Sequence, residues 1–286
     1  MKILITGAKG LLGQALAQAL KNERPVLAGR DELDVTNLED FKKFASEVKP
    51  DVIIHCAAMT DVDACETDKR QAYLVNAVGC GYAAAVSHLV KARLISVSTD
   101  YVFNGKQSEP YGEEDAANGG DSVYGRSKFI GEEFIRALNP NHVIIRTAWL
   151  YGHGRGGKNF VDFMLSLSRK GLPELKVVSD QRGNPTSAVS VAEKIREILQ
   201  RPDINGTIHV TSEGSATRYE FAEEIFRLAN ISQKVVPCSS EQFPRPAPRP
   251  NNSCLSKNAL RRYGLSPMPD WRSELKEYLT SLKKED

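Results

Sequence analysis

The sequence predicts an α/β protein built on a doubly wound parallel sheet, and three observations support this. Short, almost wholly apolar runs alternate with longer helical patterns through the first half of the chain, which is typical of a parallel sheet covered on both faces. A glycine-rich turn, TGAKGLLG, joins the first run to the first helix. The chain has 286 residues, 41% of them hydrophobic, which allows a large core. Together they indicate a Rossmann-type sheet.

The predicted elements follow one another in a regular order. Strands at KILIT, PVLAG, DVIIHCA, RLISVST and NHVIIRTAWL alternate with helices at LLGQALAQALK, NLEDFKKFASEV and DKRQAYLVNAVGCGYAAAVSHLV. A glycine-rich YGHGRGGKNF, a helix at VDFMLSLSRKG and a strand at LKVVSD come next. SAVSVAEKIREILQ and GTIHVT then return to the alternating helix and strand pattern.

This interruption of the alternating strand and helix pattern predicts two domains. We expect residues 1–150 to form a dinucleotide-binding domain, which 187–211 rejoins. Residues 151–186 and 212–286 then form a smaller, discontinuous C-terminal α/β domain that binds substrate. Its later part contains an amphipathic helix at TRYEFAEEIFRLA, a proline-rich FPRPAPRPNN and two short helices.

Composition excludes several classes of function. The net charge is +2 with both signs scattered, so no basic stripe suited to nucleic acid is present. The apolar runs are too short for a membrane span or anchor. Five cysteines without a C-x-x-C pair predict neither a zinc site nor a disulfide framework. We expect a cytoplasmic protein without a metal site.

The glycine loop predicts a dinucleotide site. Gly7, Gly10 and Gly13 stand between the first strand and the first helix. Glycines there allow a tight turn and close approach of the backbone to a pyrophosphate, which the helix N-terminus faces. The alternative is a structural turn between strand and helix, which the repeated βαβ context disfavours.

The end of the second strand bears on the choice of cofactor. Arg30 stands where an acidic residue usually binds the adenosine ribose, and arginine suits a 2′-phosphate. The sequence therefore favours NADPH, with Asp31 keeping NADH possible. Asp34 and Val35 are placed to reach the adenine; Asp34 is equally placed to cap the next helix.

A catalytic group is predicted at the end of the fourth strand. RLISVST ends in Ser98 and Thr99, and carboxyl ends of parallel strands bound the ligand crevice. The alternative for both hydroxyls is a local turn or helix cap. Tyr124 and Lys128 follow in VYGRSK, four residues apart and on one helix face. That spacing alone is weak evidence, because the chain has nine tyrosines.

These residue types suit carbonyl reduction. When a nicotinamide gives hydride to a carbonyl carbon, the developing alkoxide must be protonated, and Tyr124 is the expected donor. The ordinary pKa of tyrosine is about 10. We expect Lys128 to lower it and to hold the cofactor ribose, with Thr99 hydrogen-bonding the substrate carbonyl.

Several motifs together resemble the dTDP-4-dehydrorhamnose reductase family of extended short-chain dehydrogenases/reductases. The resemblance covers nearly the whole chain. It includes TGAKGLLG, DVIIHCAAMTDVDACE, STDYVFNG, VYGRSK, RTAWLYG, DQRGNPT and RPAPRPNNSCLS. The glycine loop and Tyr-x-x-x-Lys pair are shared by a broad superfamily, whereas DQRGNPT and the late RPAPRPNNSCLS are narrower signs.

The resemblance implies the last reduction in dTDP-L-rhamnose synthesis and roles for residues at matching positions. For the cofactor these are Gly10, Leu11 and Leu12 at the pyrophosphate, and Ala57, Ala58 and Thr60 along the adenosine and ribose path. For the substrate they are Thr99 and Asp100 at the sugar, Trp149 on the deoxysugar ring, and Asn159 and Arg249 at the diphosphate or thymidine. An ordinary core position is the alternative for Trp149.

One departure concerns assembly. Some members bind magnesium at a dimer interface through an acidic residue early in the first helix. Here that turn has Gln14 and Ala15. We therefore expect a monomer or a weak homodimer without this metal.

Other functions remain open as alternatives. Related dehydratases carry Asp-Glu after the strand-end threonine, where this chain has Asp100 and Tyr101. Epimerases need a second acid/base group or a rotating intermediate, for which His153 stays open. The regulatory β subunit of methionine adenosyltransferase resembles the family and binds a partner enzyme, so a non-catalytic binding subunit is the alternative from another class.

Overall fold

The computed structural model describes residues 1–154 and 159–283, and its centre is a parallel β-sheet. The strands are β1 Ile3–Thr6, β2 Val26–Ala28, β3 Val52–His55, β4 Arg93–Thr99, β5 His142–Thr147, β6 Leu150–Tyr151, β7 Leu175–Val178, β8 Arg182–Gly183, β9 Thr186–Ser187, β10 Gly206–His209, β11 Ala216–Thr217 and β12 Val235–Cys238. Six of them form the central sheet in the order β10-β5-β4-β3-β1-β2, all parallel. The predicted fold class, a Rossmann-type α/β protein, is confirmed.

Helices cover both faces of this sheet. The α-helices of the described residues are α1 Leu11–Ala19, α2 Leu38–Val48, α3 Val62–Thr67, α4 Lys69–Tyr73, α5 Gly79–Leu89, α6 Val123–Leu138, α7 Phe160–Ser168, α8 Ala188–Leu199, α9 Arg218–Ala229, α10 Asn258–Arg262 and α11 Trp271–Leu282. One π-helical turn, Leu74–Val78, joins α4 to α5.

The alternation of side chains along β1 explains the layers. Ile3 and Ile5 pack with α1 and α8 on one face, whereas Leu4 packs with α2 and α5 on the other. All three are essentially fully buried. Because successive strand residues point to opposite faces, a strand covered on both sides must be apolar throughout.

The strand order locates a ligand crevice. From β1 the chain crosses to β2 on one side, and β3 then lies on the other side of β1. Ligands of open α/β sheets bind outside the carboxyl ends of the strands where the order reverses in this way. The crevice is therefore expected above the ends of β1 and β3, next to β4.

A second apolar core lies in the C-terminal part of the chain. Phe221 of α9 and Trp271 of α11 are both fully buried there, and they meet edge to face with ring centroids 5.6 Å apart. Tyr151 and residues of α7 and β7 complete this core. α8 meanwhile packs on α1, and β10 pairs with β5. The domain boundaries at 150, 186 and 211 stay predictions.

No helix in residues 1–154 and 159–283 combines the length and apolar character that crossing a bilayer requires. The same residues contain no cluster of three or more histidine, cysteine or acidic side chains arranged to hold a metal ion.

Candidate active site

The glycine loop forms a cradle at the start of α1. Gly7 has φ +67°, and a Cβ there would lie 2.6 Å from the Ala57 nitrogen after β3. A Cβ at Gly13 would lie 2.4 Å from the Gly7 oxygen. Only glycine therefore permits this packing of turn, helix and neighbouring strand.

The cradle fits the pyrophosphate of a dinucleotide. Gly10 is the N-cap of α1, whose N-terminus has no side-chain cap and no acidic residue in its first turn. A Cβ at Gly10 would meet only the Gly7 oxygen within 4 Å, at 3.2 Å, so this position faces open space. The helix start, with Leu11 and Leu12, thus leaves amide groups and a positive dipole end for an anion.

The end of β2 brings basic and acidic side chains together. Arg30 is exposed beside Asp31 and Glu32. Lys9, from the glycine loop, pairs with the carboxylates of Asp31 at 2.7 Å and Glu32 at 2.8 Å. Lys9 was not among the residues that the sequence indicated, because its position between two glycines gives no sign of contact with the β2 end.

The two adenine candidates lie in different surroundings. Val35 is buried with Phe41 of α2 in the core below the sheet. Asp34 accepts hydrogen bonds from the Thr36 amide at 2.9 Å and hydroxyl at 2.7 Å, which lower the pKa of its carboxyl. Asn37, not Asp34, caps α2.

The loop after β3 is tied to α6 by a buried amide. The Asn76 side chain accepts from the Met59 amide at 2.8 Å and donates to the Met59 carbonyl at 3.0 Å. It also donates to Ser127 of α6 at 3.1 Å. Asn76 lies in the π-helical turn, a feature that often marks functional sites. This bond fixes the loop that carries Ala58 and Thr60.

The predicted catalytic hydroxyl lies at the exit of β4. Thr99 is buried, donates to the Asp100 carboxylate at 2.9 Å and accepts from the Tyr101 amide at 3.2 Å. Tyr101 also meets Tyr124 edge to face, with ring centroids 5.6 Å apart. The structure thus brings Thr99, Asp100 and Tyr124 together.

Two small residues let α6 reach this exit. Ser122 caps the helix by accepting from the Gly125 amide at 3.0 Å. A Cβ at Gly125 would lie 2.2 Å from the Tyr101 oxygen. The glycine of VYGRSK therefore allows the helix backbone to touch the segment after β4, which puts Tyr124 beside Thr99.

Burial governs the ionisation of the phenol and the carboxyl. It raises the pKa of Tyr124, and hydrogen bonding to Thr99 acts in the opposite direction. It also raises the pKa of Asp100 to about 6, against hydrogen bonds from Ser253 and Thr99. The expected lowering of the Tyr124 pKa is therefore not found in the free protein, where the cost of a buried phenolate dominates.

Lys128 lies one helical turn beyond Tyr124 and points toward the strand ends. Its ammonium is buried and donates to the Val97 carbonyl at 2.6 Å. Its charge adds to burial in lowering the pKa of His55, at the end of β3, to about 3. The cation therefore lies between α6 and the ends of β3 and β4, under the crevice.

A buried ion pair supports the same strand ends. Glu132, two turns beyond Tyr124, accepts from Arg146 of β5 at 2.7 and 3.0 Å. It also accepts from the Ser98 hydroxyl at 2.5 Å. Burial opposes ionisation of Glu132, but the Arg146 hydrogen bonds and charge outweigh it and hold its pKa below the usual value. The pair locks α6 to β4 and β5.

The Trp149 ring is held from two sides. Its backbone has φ +46°, which is unusual for a bulky residue. The Arg218 guanidinium carbon lies 3.4 Å from the ring centroid, and a Cβ at Gly183 would come within 2.4 Å of the indole. Arg218 therefore covers one face of the Trp149 ring, the side chain on which we expect the deoxysugar to stack. Arg218 itself was missed, since TRYEF indicated only the start of a helix.

The two diphosphate candidates are both bonded within the protein. Asn159 caps α7 and donates to the Gly152 carbonyl at 3.1 Å. Arg249 pairs with both carboxylate oxygens of Asp63, at 2.6 and 2.9 Å. Arg249 belongs to the proline-rich segment and Asp63 to the helix after β3, so this ion pair holds that segment across the crevice.

The chain is similar to known proteins over nearly its whole length. The sequence model of the RmlD substrate binding domain matches residues 1–284. A Streptomyces antibioticus protein named a probable dTDP-4,6-dihydroxy-2-methyloxan-3-one 4-ketoreductase is 41% identical over 281 residues, 97% of this chain and 94% of that protein.

Two solved structures also superpose over almost the whole chain. A dTDP-4-dehydrorhamnose reductase from Clostridium acetobutylicum has TM-score 0.94 and 44% identity, covering 99% of this chain and 100% of the other. A Bacillus anthracis dTDP-4-dehydrorhamnose reductase in complex with NADP has TM-score 0.92 and 38% identity, covering 98% and 99%.

Proposed function

The chain belongs to the RmlD family, whose members include dTDP-4-dehydrorhamnose reductases, and we propose that it reduces the 4-keto group of dTDP-4-dehydro-L-rhamnose to give dTDP-L-rhamnose. The observation that carries this proposal is the meeting of Thr99, Asp100 and Tyr124 at the exit of β4. A hydroxyl and a protonated phenol side by side suit a carbonyl oxygen that gains negative charge.

NADPH supplies the hydride when it is bound. The residues proposed to hold it are the backbone of Gly7, Gly10 and Gly13 at the pyrophosphate, Leu11 and Leu12 at the helix start, and Ala57, Ala58, Thr60, Tyr124 and Lys128 along the riboses. Arg30, assisted by Lys9, is proposed to meet the 2′-phosphate, with Asp34 and Val35 nearer the adenine.

The proposed catalytic roles depend on the protonation states of the side chains at the β4 exit. Because burial keeps the Tyr124 phenol protonated, it can give its proton to the developing alkoxide oxygen. Thr99 turns its hydroxyl from Asp100 to the same oxygen, and Asp100 then contacts the sugar. Lys128, one helical turn from Tyr124, stabilises the phenolate that remains.

The substrate contacts rest on side chains around the same crevice. Trp149 is proposed to pack on the deoxysugar, and Arg249 to hold the diphosphate. Asn159 is the less supported contact, because its amide already bonds Gly152 and Asp162.

A closely related substrate is the second candidate. The Streptomyces antibioticus relative is named for a 4-ketoreductase that acts on a different dTDP-hexose. Its identity of 41% is similar to that of the rhamnose enzymes, so the two sugars must be compared directly.

The test compares the two dTDP-sugars as substrates with NADPH. Purified protein is mixed with NADPH and either dTDP-sugar, and absorbance at 340 nm is followed. Rapid loss of absorbance with dTDP-4-dehydro-L-rhamnose is the expected result. Tight NADPH binding without oxidation by either sugar would instead favour a non-catalytic binding subunit.

Location and assembly belong to this proposal as well. We propose a cytoplasmic protein that is a monomer or a weak homodimer. Light scattering during size-exclusion chromatography, with magnesium and with EDTA, would give the same mass in both buffers.

A further inference from the structure

The Arg218 guanidinium lies close to the crevice and contacts aromatic rings. Arg218 is the first residue of α9. Its guanidinium carbon lies 3.4 Å from the centroid of the Trp149 ring and 5.0 Å from that of the Phe160 ring. Within residues 1–154 and 159–283 this side chain makes no hydrogen bond or ion pair. A guanidinium has five N–H donors, and stacking satisfies none of them.

The surrounding charges do not neutralise this cation. Burial lowers the pKa of Arg218 to about 10, and the nearby Arg249 lowers it further, against Tyr101 and Asp100. Arg218 stays protonated at neutral pH. Asp100 already accepts from Thr99, and Asp63 pairs with Arg249. Two guanidinium groups that raise each other's energy are stabilised when an anion lies between them.

The Trp149 ring also fixes the position of Arg218. Trp149 is held by its left-handed backbone at φ +46° and by Gly183, which leaves no room for a side chain against the indole. Backbone strain of this kind persists where the surroundings impose it, and it gathers at ligand sites. The ring thus acts as a rigid platform for the guanidinium.

We propose that Arg218 is a substrate-binding residue that, together with Arg249, takes the diphosphate of the nucleotide sugar. A planar guanidinium pairs with phosphate oxygens through two parallel hydrogen bonds, which an ammonium cannot do. The inference rests on the proposed function, since it assigns a residue to the substrate of that same site. It makes the diphosphate, rather than the base or the free sugar, the group that Arg218 recognises.

The test compares two ligands that differ only in the diphosphate. Dissociation constants of dTDP and of thymidine are measured by equilibrium titration for the NADP⁺-saturated wild type, Arg218→Gln and Arg218→Lys. The matched control is Arg272→Gln, which removes a guanidinium 4.3 Å from the Trp271 ring on the exposed side of α11. Thermal melting monitors folding of each variant.

The Arg218 substitutions should weaken the binding of dTDP but not that of thymidine. Arg218→Gln should weaken dTDP by roughly 30-fold, the scale for losing charge-assisted hydrogen bonds, and change thymidine by less than about twofold. Arg218→Lys should fall between wild type and Arg218→Gln, and Arg272→Gln should bind both ligands as wild type does. With substrate, KM should rise more than kcat falls.

Two results would overturn the inference. If Arg218→Gln binds dTDP as tightly as wild type, or loses dTDP and thymidine equally, Arg218 does not recognise the diphosphate. If the wild type itself binds dTDP no more tightly than thymidine, the nucleotide-sugar function fails, and this inference fails with it. The wild-type titration therefore distinguishes the two failures.

Discussion

Burial keeps Tyr124, the proposed proton donor, in its protonated form. The phenol lies against Tyr101 and beside the Thr99 hydroxyl, where a phenolate would lack water. Burial therefore keeps the proton on Tyr124 at neutral pH, although the sequence suggested a cation that would help to remove it. In the proposed mechanism the proton is released only where charge develops on the substrate oxygen.

Replacing Tyr124 with phenylalanine should separate binding from chemistry. The ring volume is kept while the proton donor is lost, so kcat should fall by about 100-fold or more. NADPH affinity, measured by cofactor fluorescence, should change little. The control is Tyr263→Phe, which removes a hydroxyl bonded to the Asn205 carbonyl away from the site. Near-normal turnover of Tyr124→Phe would contradict the assigned role.

Asp100 makes a contribution to stability that falls as pH rises. Its pKa is about 6 in the folded protein and about 3.9 in an unfolded chain. The folded state therefore binds more protons between these values, so stability is present below about pH 4 and is lost as pH rises through 6. The loss approaches about 3 kcal/mol at the scale of 1.4 kcal/mol per pKa unit.

Asp100→Asn should remove this dependence. Urea unfolding of wild type and variant at pH 4, 5, 6 and 7 measures the difference in free energy of unfolding, in which Glu274 and other acids common to both proteins cancel. The variant should gain relative stability as pH rises. A difference that stays constant across this range would show that Asp100 does not titrate there.

The proposed preference for NADPH rests on exposed charges at the end of β2. Arg30 is free to meet a 2′-phosphate, while Lys9 is shared with Asp31 and Glu32. Arg30→Ala should raise KM for NADPH by about fivefold, the scale of one exposed charge contact, and leave NADH nearly unchanged. Arg261→Ala, an exposed arginine of α10, is the control. Equal effects on both coenzymes would remove the 2′-phosphate argument.

At the scale of elements, α6 brings Tyr124 and Lys128, the proposed catalytic side chains, to β4. Gly125 lets the helix touch the strand exit, and Glu132 holds it there through Arg146 and Ser98. A buried ion pair contributes little compared with an apolar pair, but removing one partner leaves the other charge uncompensated.

Glu132→Gln should therefore be costly. The free energy of unfolding, from urea denaturation, is expected to fall by about 3 kcal/mol because Arg146 stays buried. The neighbouring Glu133→Gln breaks a pair with Arg136 in which the glutamate side chain is 55% exposed, and it should cost about 0.5 kcal/mol or less. Similar losses in the two variants would contradict a locking role for Glu132.

These elements also show what the sequence could and could not predict. The sequence predicts the glycine loop, the β4 exit and the Tyr124 and Lys128 pair because each is a local pattern. Arg218 and Lys9 were missed because their partners are distant in sequence or depend on loop geometry. The burial of Tyr124 could not be predicted from the sequence either, because it depends on how α6 packs.

At the scale of the whole molecule, a parallel sheet and a C-terminal core meet around one crevice. The sequence predicted the sheet from its alternating elements, but it gave no strand order, because pairing depends on contacts between distant segments. The Arg249–Asp63 pair and the Arg218–Trp149 stack connect the C-terminal part to the strand ends. The proposed substrate and cofactor sites therefore share one wall.

Transfer of deuterium from cofactor to sugar tests this account most directly. The protein is incubated with dTDP-4-dehydro-L-rhamnose and NADPH that carries deuterium at both C4 positions of the nicotinamide, and the product is analysed by proton NMR and mass spectrometry. We predict one deuterium at C4 of the sugar for each NADPH oxidised, and almost none with Tyr124→Phe in the same time. A product without label at C4, or no product while NADPH binds tightly, would contradict the account.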